Sequence, residues 1–139
     1  VNMYYVSPED VSAFGLPKWV TGCNSLGKPH RTVHDVLEKK QLQALQKKTP
    51  VPVVTYGDLM TAHSVSGVRY LKIDTEGHDP IILESMIEYC DTDKCCFPIK
   101  IQFESNGLSE KHLEIAVIEK LLNRGYKIVS KCHDTVLKK

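Results

Sequence analysis

Tyr70-Leu71-Lys72-Ile73-Asp74-Thr75-Glu76-Gly77-His78-Asp79-Pro80 decides the fold: a short apolar run ends in two carboxylates, a glycine and a histidine, and an amphipathic stretch follows. The run reads as a strand over Val68 to Asp74. Gly77 permits a tight turn, and Asp79-Pro80 reads as an N-cap followed by proline at the first helical position, where a missing N–H costs nothing. Ile82, Leu83, Met86, Ile87 and Cys90 then recur at helical spacing, so one helix face is expected to pack on a sheet. In open α/β sheets, ligands lie outside the carboxyl ends of the strands. Asp74, Glu76 and His78 therefore stand where such a sheet builds a site, although the two acids alternatively hydrogen-bond nearby backbone amides.

Downstream, Pro98 to Glu104 alternates with period two, Ile99, Ile101 and Phe103 on one side and Lys100, Gln102 and Glu104 on the other. A central parallel strand is apolar on both faces, so this one is expected where a face is partly open. Glu104-Ser105-Asn106-Gly107 falls at its carboxyl end, which puts Glu104 and Asn106 on the same rim if the sheet is parallel. Ser109 is expected to cap a last helix with Leu113, Val117, Ile118, Leu121 and Leu122 as its buried stripe, closed by Arg124 and Gly125. Tyr126 to Cys132 reads as a strand, and His133-Asp134 as a turn into an antiparallel Thr135-Val136-Leu137.

Upstream, Thr55 and Asp58 can open a brief helix through Met60 to His63, after a short strand from Val51 to Thr55. Thr32 is expected to cap a helix from Val33 to about Lys48, which Pro50 and Pro52 terminate. Residues 1 to 32 hold so many prolines and glycines that turns and loops are expected around a short apolar segment at Trp19-Val20. The chain thus divides into an irregular front with one helix, residues 1 to 49, and an alternating α/β part, residues 50 to 139.

With 42% hydrophobic and 25% charged residues, the chain has the balance of a globular domain. A net charge of +1 offers no field for nucleic acid, and no apolar run approaches the about 20 residues of a membrane span. Five cysteines, Cys23, Cys90, Cys95, Cys96 and Cys132, make an odd set that reads as buried thiols in a reducing, cytoplasmic compartment. The Cys90, Cys95, Cys96 spacing lacks a second C-x-x-C pair, and among the histidines the i, i+4 spacing of His30/His34 is the exception and a weak metal signal, so no bound metal is expected. Because the sequence opens on Val1, it is expected to be incomplete at the amino terminus.

Lys72-Ile73-Asp74-Thr75-Glu76-Gly77-His78-Asp79 resembles the central motif of the FkbM-type methyltransferases. The resemblance covers about residues 50 to 139, where Val53 to Leu59 is similar to the family's segment before the signature strand. It implies a Rossmann-like class I methyltransferase sheet, mostly parallel with an antiparallel carboxyl-terminal hairpin. It also implies S-adenosylmethionine as cofactor and a hydroxyl of a small metabolite or glycan as methyl acceptor. On that reading Asp74 orients the acceptor or stabilises the cationic donor, Glu76 and His78 accept a proton or anchor the substrate, and Glu104 and Asn106 contact the substrate.

The family's glycine-rich first turn and its ribose-binding acid have no credible counterpart. Gly22 to Lys28 lacks a β-branched strand before it and a helix directly after it, and Lys28 is followed by proline, which excludes a P-loop. The Gly22 to His30 stretch, with Asn24 and Ser25, is instead expected to form a substrate or lid loop. The isolated chain is then expected to bind S-adenosylmethionine weakly or not at all. The alternative is a non-catalytic α/β module whose carboxylate rim binds a ligand or partner chain.

Overall fold

The computed structural model describes residues 1–92 and 96–139. The chain forms two compact units, Val1–Val53 and Val54–Lys139.

In the first unit, strands β1 (Asn2–Tyr5), β2 (Ser25–Leu26) and β3 (Lys47–Pro50) form an antiparallel sheet in the order β2-β1-β3. Helices α1 (Pro8–Ala13) and α2 (Arg31–Lys39) accompany it. Val6, Val11, Leu16, Val20, Val33 and Leu37 make its core. The irregular front expected from the breakers is therefore ordered, because the breakers sit at joints. Ser7 caps α1 by accepting from the Asp10 N–H, with Pro8 in the first turn, and Gly15 and Gly27 take left-handed turns.

The helix expected to run to about Lys48 ends at Lys39, and its cap is His30, whose Nδ1 accepts from Val33 N at 3.3 Å, in place of Thr32. The lysine-rich remainder leaves the helix because β1 offers it a partner, with Tyr5 opposite Lys47 and Asn2 opposite Pro50. That pairing also places the strand at Lys47–Pro50, ahead of the expected Val51 to Thr55.

In the second unit, α3 (Tyr56–Ala62) opens with the expected capping box: Thr55 Oγ1 accepts from Asp58 N, and Asp58 Oδ2 from Thr55 N, both at 3.1 Å. Strands β4 (Tyr70–Ile73), β5 (Lys100–Glu104), β6 (Lys127–Lys131) and β7 (Asp134–Lys138) alternate with helices α4 (Asp79–Cys90) and α5 (Lys111–Leu122). The sheet order is β4-β5-β7-β6. The β4/β5 pairing is parallel, whereas β7 runs antiparallel to both β5 and β6. The antiparallel carboxyl-terminal hairpin is as expected, but the sheet is mixed where a mostly parallel one was expected, since β7 folds back between β5 and β6.

Ile101 and Phe103 of β5 are buried beside Leu83, Met86 and Ile87 of α4 and Val117, Ile118 and Leu121 of α5. The opposite row of β5 stays half-buried and polar: Tyr70 Oη donates to Gln102 Oε1, and Gln102 Nε2 donates to Asp134 Oδ2, both at 2.6 Å. The partly open face inferred from the alternation is present.

Three local expectations change. Asp79 is the first residue of α4, with His78 at the cap position and no side-chain cap bond. Glu110, not Ser109, stands at the α5 cap position, again without a side-chain bond. Leu113 and Leu122 lie largely exposed at the edge of the α5 stripe. Arg124 does more than end α5, because it donates to Asp91 through Nε (3.0 Å) and Nη2 (2.5 Å) and to the Lys120 carbonyl, tying the ends of α4 and α5.

Cys90 is disulfide-bonded, against the reading of the cysteines as thiols. Such a bond counts against a reducing compartment. Cys96 and Cys132 are free and exposed, and Cys95 lies outside the described residues. No helix of the described residues is long and apolar enough to cross a membrane.

Candidate active site at the carboxyl ends of β4 and β5

Parallel pairing puts Ile73 beside Phe103, so both chains leave the sheet at the same end. Two loops begin there, 74–78 after β4 and 105–110 after β5. Asp79 ties the first loop to the second strand. Its Oδ1 accepts from Thr75 N at 2.9 Å and from Thr75 Oγ1, and its Oδ2 accepts from Glu104 N at 3.0 Å. Its side chain is fully enclosed, and burial pushes its carboxyl above the ordinary range despite these donors. The sequence hint was the Thr75/Asp79 spacing, which a capping assignment for Asp79 concealed.

Gly77 brings the two loops into contact. Its φ is +104°, and a Cβ at this position would sit 2.9 Å from the Leu108 carbonyl oxygen, so both conformation and space require glycine. Glu76, just before it, holds a left-handed φ of +53°. A non-glycine residue there stores about 1–3 kcal/mol of strain, which a surrounding framework must hold. The Asp79 bonds and the Gly77/Leu108 contact provide that framework.

Four of the residues singled out by sequence meet at this rim. Asp74 is 55% exposed, with Lys72 Nζ 3.4 Å from its Oδ2. Glu104 Oε1 accepts from Asn106 Nδ2 at 2.5 Å, and Asn106 Oδ1 in turn accepts from Leu108 N at 3.1 Å. Glu104 Oε2 is shut off from solvent and has no hydrogen-bond partner among the described residues. Burial first, and then the charges of Glu76, Asp74, Asp79 and Asp134, push the Glu104 carboxyl up to about 7. Glu104 thus gives up its proton only near neutral pH, well above the range of an ordinary carboxyl. A carboxyl of this kind is what general acid–base chemistry requires.

His78 lies half-buried in the same loop, where its carbonyl receives Ile81 N at 3.1 Å and Ile82 N at 3.3 Å. Asn24 and Ser25 belong to the first unit. Asn24 is exposed, whereas Ser25 is buried and donates its hydroxyl to the Lys28 carbonyl at 2.7 Å, so that proton is committed to closing its own loop.

The sequence model of the Methyltransferase FkbM domain matches residues 15–128. The chain belongs to this family. The match reaches back into the first unit, well before the residue-50 boundary drawn from the motif alone. No curated protein and no solved structure matches the chain. In this FkbM-domain chain, Asp74 and Glu76 lie in the loop that Asp79 and Gly77 hold in place.

Proposed function

We propose that this chain serves S-adenosylmethionine-dependent O-methylation of a small metabolite or glycan hydroxyl, at the carboxyl ends of β4 and β5. The observation that carries the proposal is the acidic rim with its buried, unpartnered Glu104 oxygen, in a chain of the FkbM methyltransferase family. On this reading residues 54–139 are the carboxyl-terminal half of a Rossmann-like class I sheet. Two parallel strands each leading into a helix, followed by an antiparallel hairpin, support it.

The residues fit a cationic donor. A sulfonium placed near Asp74, Glu76 and Glu104 gains charge stabilisation that no isosteric neutral ligand gains. Bound there, S-adenosylmethionine supplies a methyl carbon that passes to the acceptor oxygen, while the S–C electron pair stays on sulfur and the O–H proton leaves. The chain's tasks are to align the groups and to manage that proton. Asp74, exposed and charged, faces the donor or orients the acceptor. Glu76 is presented by its fixed left-handed turn, and His78 and Asn106 flank the acceptor position. Asn24 remains a candidate substrate contact from the Gly22 to His30 loop.

No Gly-x-Gly turn occurs in the sequence, so donor affinity rests on the rim and is expected to be weak. A dissociation constant of about 1 mM corresponds to only about −4 kcal/mol. Amide-resolved NMR titration with S-adenosylmethionine tests this directly. Shifts concentrated at residues 74–79 and 104–108 are expected. Micromolar affinity centred elsewhere, or no shift at several millimolar donor, would contradict the proposal. Donor binding that leaves the rim unshifted favours the non-catalytic α/β module, whose ligand would be another molecule.

A further inference from the structure

Glu104 sits where two constraints meet. Its Oε1 is clamped by Asn106, which is itself fixed on Leu108 N, so the carboxyl cannot swing outward without breaking a two-bond chain. Its Oε2 is enclosed and, among the described residues, unpartnered, and its backbone N–H is bound to the buried Asp79. The ionisable groups that act on it come from three elements around it: Asp74 and Glu76 from the β4–α4 loop, Asp79 from α4 and Asp134 from β7. All four are acidic, and although Lys72 lies 3.4 Å from Asp74, a proton on Glu104 or an added cation relieves the repulsion. A fixed carboxyl among these acids, in a site read as receiving a cation and releasing a hydroxyl proton, is the natural place for that exchange.

We propose that Glu104 is the proton acceptor of the site and is armed by the cationic donor: in the ligand-free chain its carboxyl carries a proton, a cation beside Asp74 and Glu76 expels it to solvent from the open side of the group, and the resulting carboxylate takes the acceptor's hydroxyl proton on that side. The balance closes, since one proton leaves the Glu104 carboxyl when the cation binds and one returns when the hydroxyl is methylated. The methylated product and the neutral thioether then face a protonated Glu104. Asn106 is the positioning residue, because its amide donor favours the carboxylate form and fixes which oxygen faces inward.

The inference rests on S-adenosylmethionine binding at the rim, and its test separates the two. If binding expels a proton, affinity for S-adenosylmethionine rises by about tenfold between about pH 6 and pH 8. Amide NMR titrations at both pH values read the affinity, and the neutral product S-adenosylhomocysteine serves as the uncharged control. The rise is expected for the wild type with the sulfonium. It should vanish in Glu104→Gln and be absent with the homocysteine thioether. In Asn106→Ala the rise should move to higher pH. Carbon-13 carboxyl shifts of the wild-type protein provide a reading that needs no variant, because adding the sulfonium near neutral pH should drive the Glu104 resonance toward its deprotonated position. Binding with no change in affinity over this range, or the same rise in Glu104→Gln, overturns the role of Glu104 and leaves the methyl-transfer reading standing. Absence of binding at both pH values overturns that reading and the role of Glu104 together.

Discussion

Glu104→Gln is expected to make the protein more stable at pH 8 while removing the proton acceptor. The folded chain holds the Glu104 proton up to about 7, against an ordinary value of 4.5. A difference of that size corresponds to about 3 kcal/mol, and partial exposure of the side chain reduces it to about 1–2 kcal/mol through solvent screening. The sign follows from proton counting. Between about pH 4.5 and pH 7 the unfolded chain has lost the proton and the folded chain keeps it, so stability falls as pH rises through this window, and the full penalty applies above it. Glutamine keeps an oxygen for Asn106 Nδ2 and carries no charge toward Asp74, Glu76 or Asp134, so the penalty disappears. Urea unfolding of both proteins at pH 4.5 and pH 8 measures the difference. The variant is expected to match the wild type within about 0.5 kcal/mol at the lower pH and to exceed it by about 1–2 kcal/mol at the higher. A variant less stable than wild type at pH 8, or a difference that does not change with pH, would refute the reasoning.

The remaining predictions concern the framework and the charge at its rim. Leu83→Ala and Leu121→Ala, both fully enclosed, should each lose about 2–5 kcal/mol in denaturant unfolding; losses below about 0.5 kcal/mol would place these side chains outside the core. Gly77→Ala forces a Cβ to 2.9 Å from the Leu108 carbonyl at a left-handed φ, and should cost about 1–3 kcal/mol together with shifts of the 105–110 loop amides. Asp74→Asn should reduce methyl transfer per folded molecule by about 10²- to 10⁴-fold while barely moving the melting temperature, because among the described residues this half-exposed carboxylate pairs with Lys72 at a long 3.4 Å. A destabilised variant with undiminished turnover would make Asp74 a structural brace.

How much was legible depended on the range of each signal. The Thr55/Asp58 capping box, the Ile101/Phe103 row of β5 and the carboxyl-terminal hairpin are written within a few neighbouring residues and formed as read, whereas Ile99 is exposed ahead of β5 and the β4-turn-α4 passage formed with His78 in place of Asp79 at the cap position. β1 was missed because its partners are Ser25–Leu26 and the lysine-rich Lys47–Pro50, far away in sequence and without strand-like composition. Lys47 is held there by Asp10 at 2.6 Å, a pairing no local pattern announces. Asp79 shows the same limit at the site. Local spacing made it a cap, whereas the fold gives it the amide of Glu104, which arrives only when β5 docks beside β4. Asp74, Glu76 and Glu104 could be nominated by strand-end position alone. The protonation of Glu104 could not, since it arises from burial and from four acids that the chain brings together from residues 74 to 134.

The most direct test of the central claim is transfer of an isotopically labelled methyl group from S-adenosylmethionine to hydroxyl-bearing acceptors, sugars and small polyols, at millimolar donor, with Asp74→Asn measured beside the wild type. The account predicts labelled methyl ethers from the wild type and their near loss in Asp74→Asn. Label appearing on amines, or an Asp74→Asn rate equal to the wild type, would contradict it.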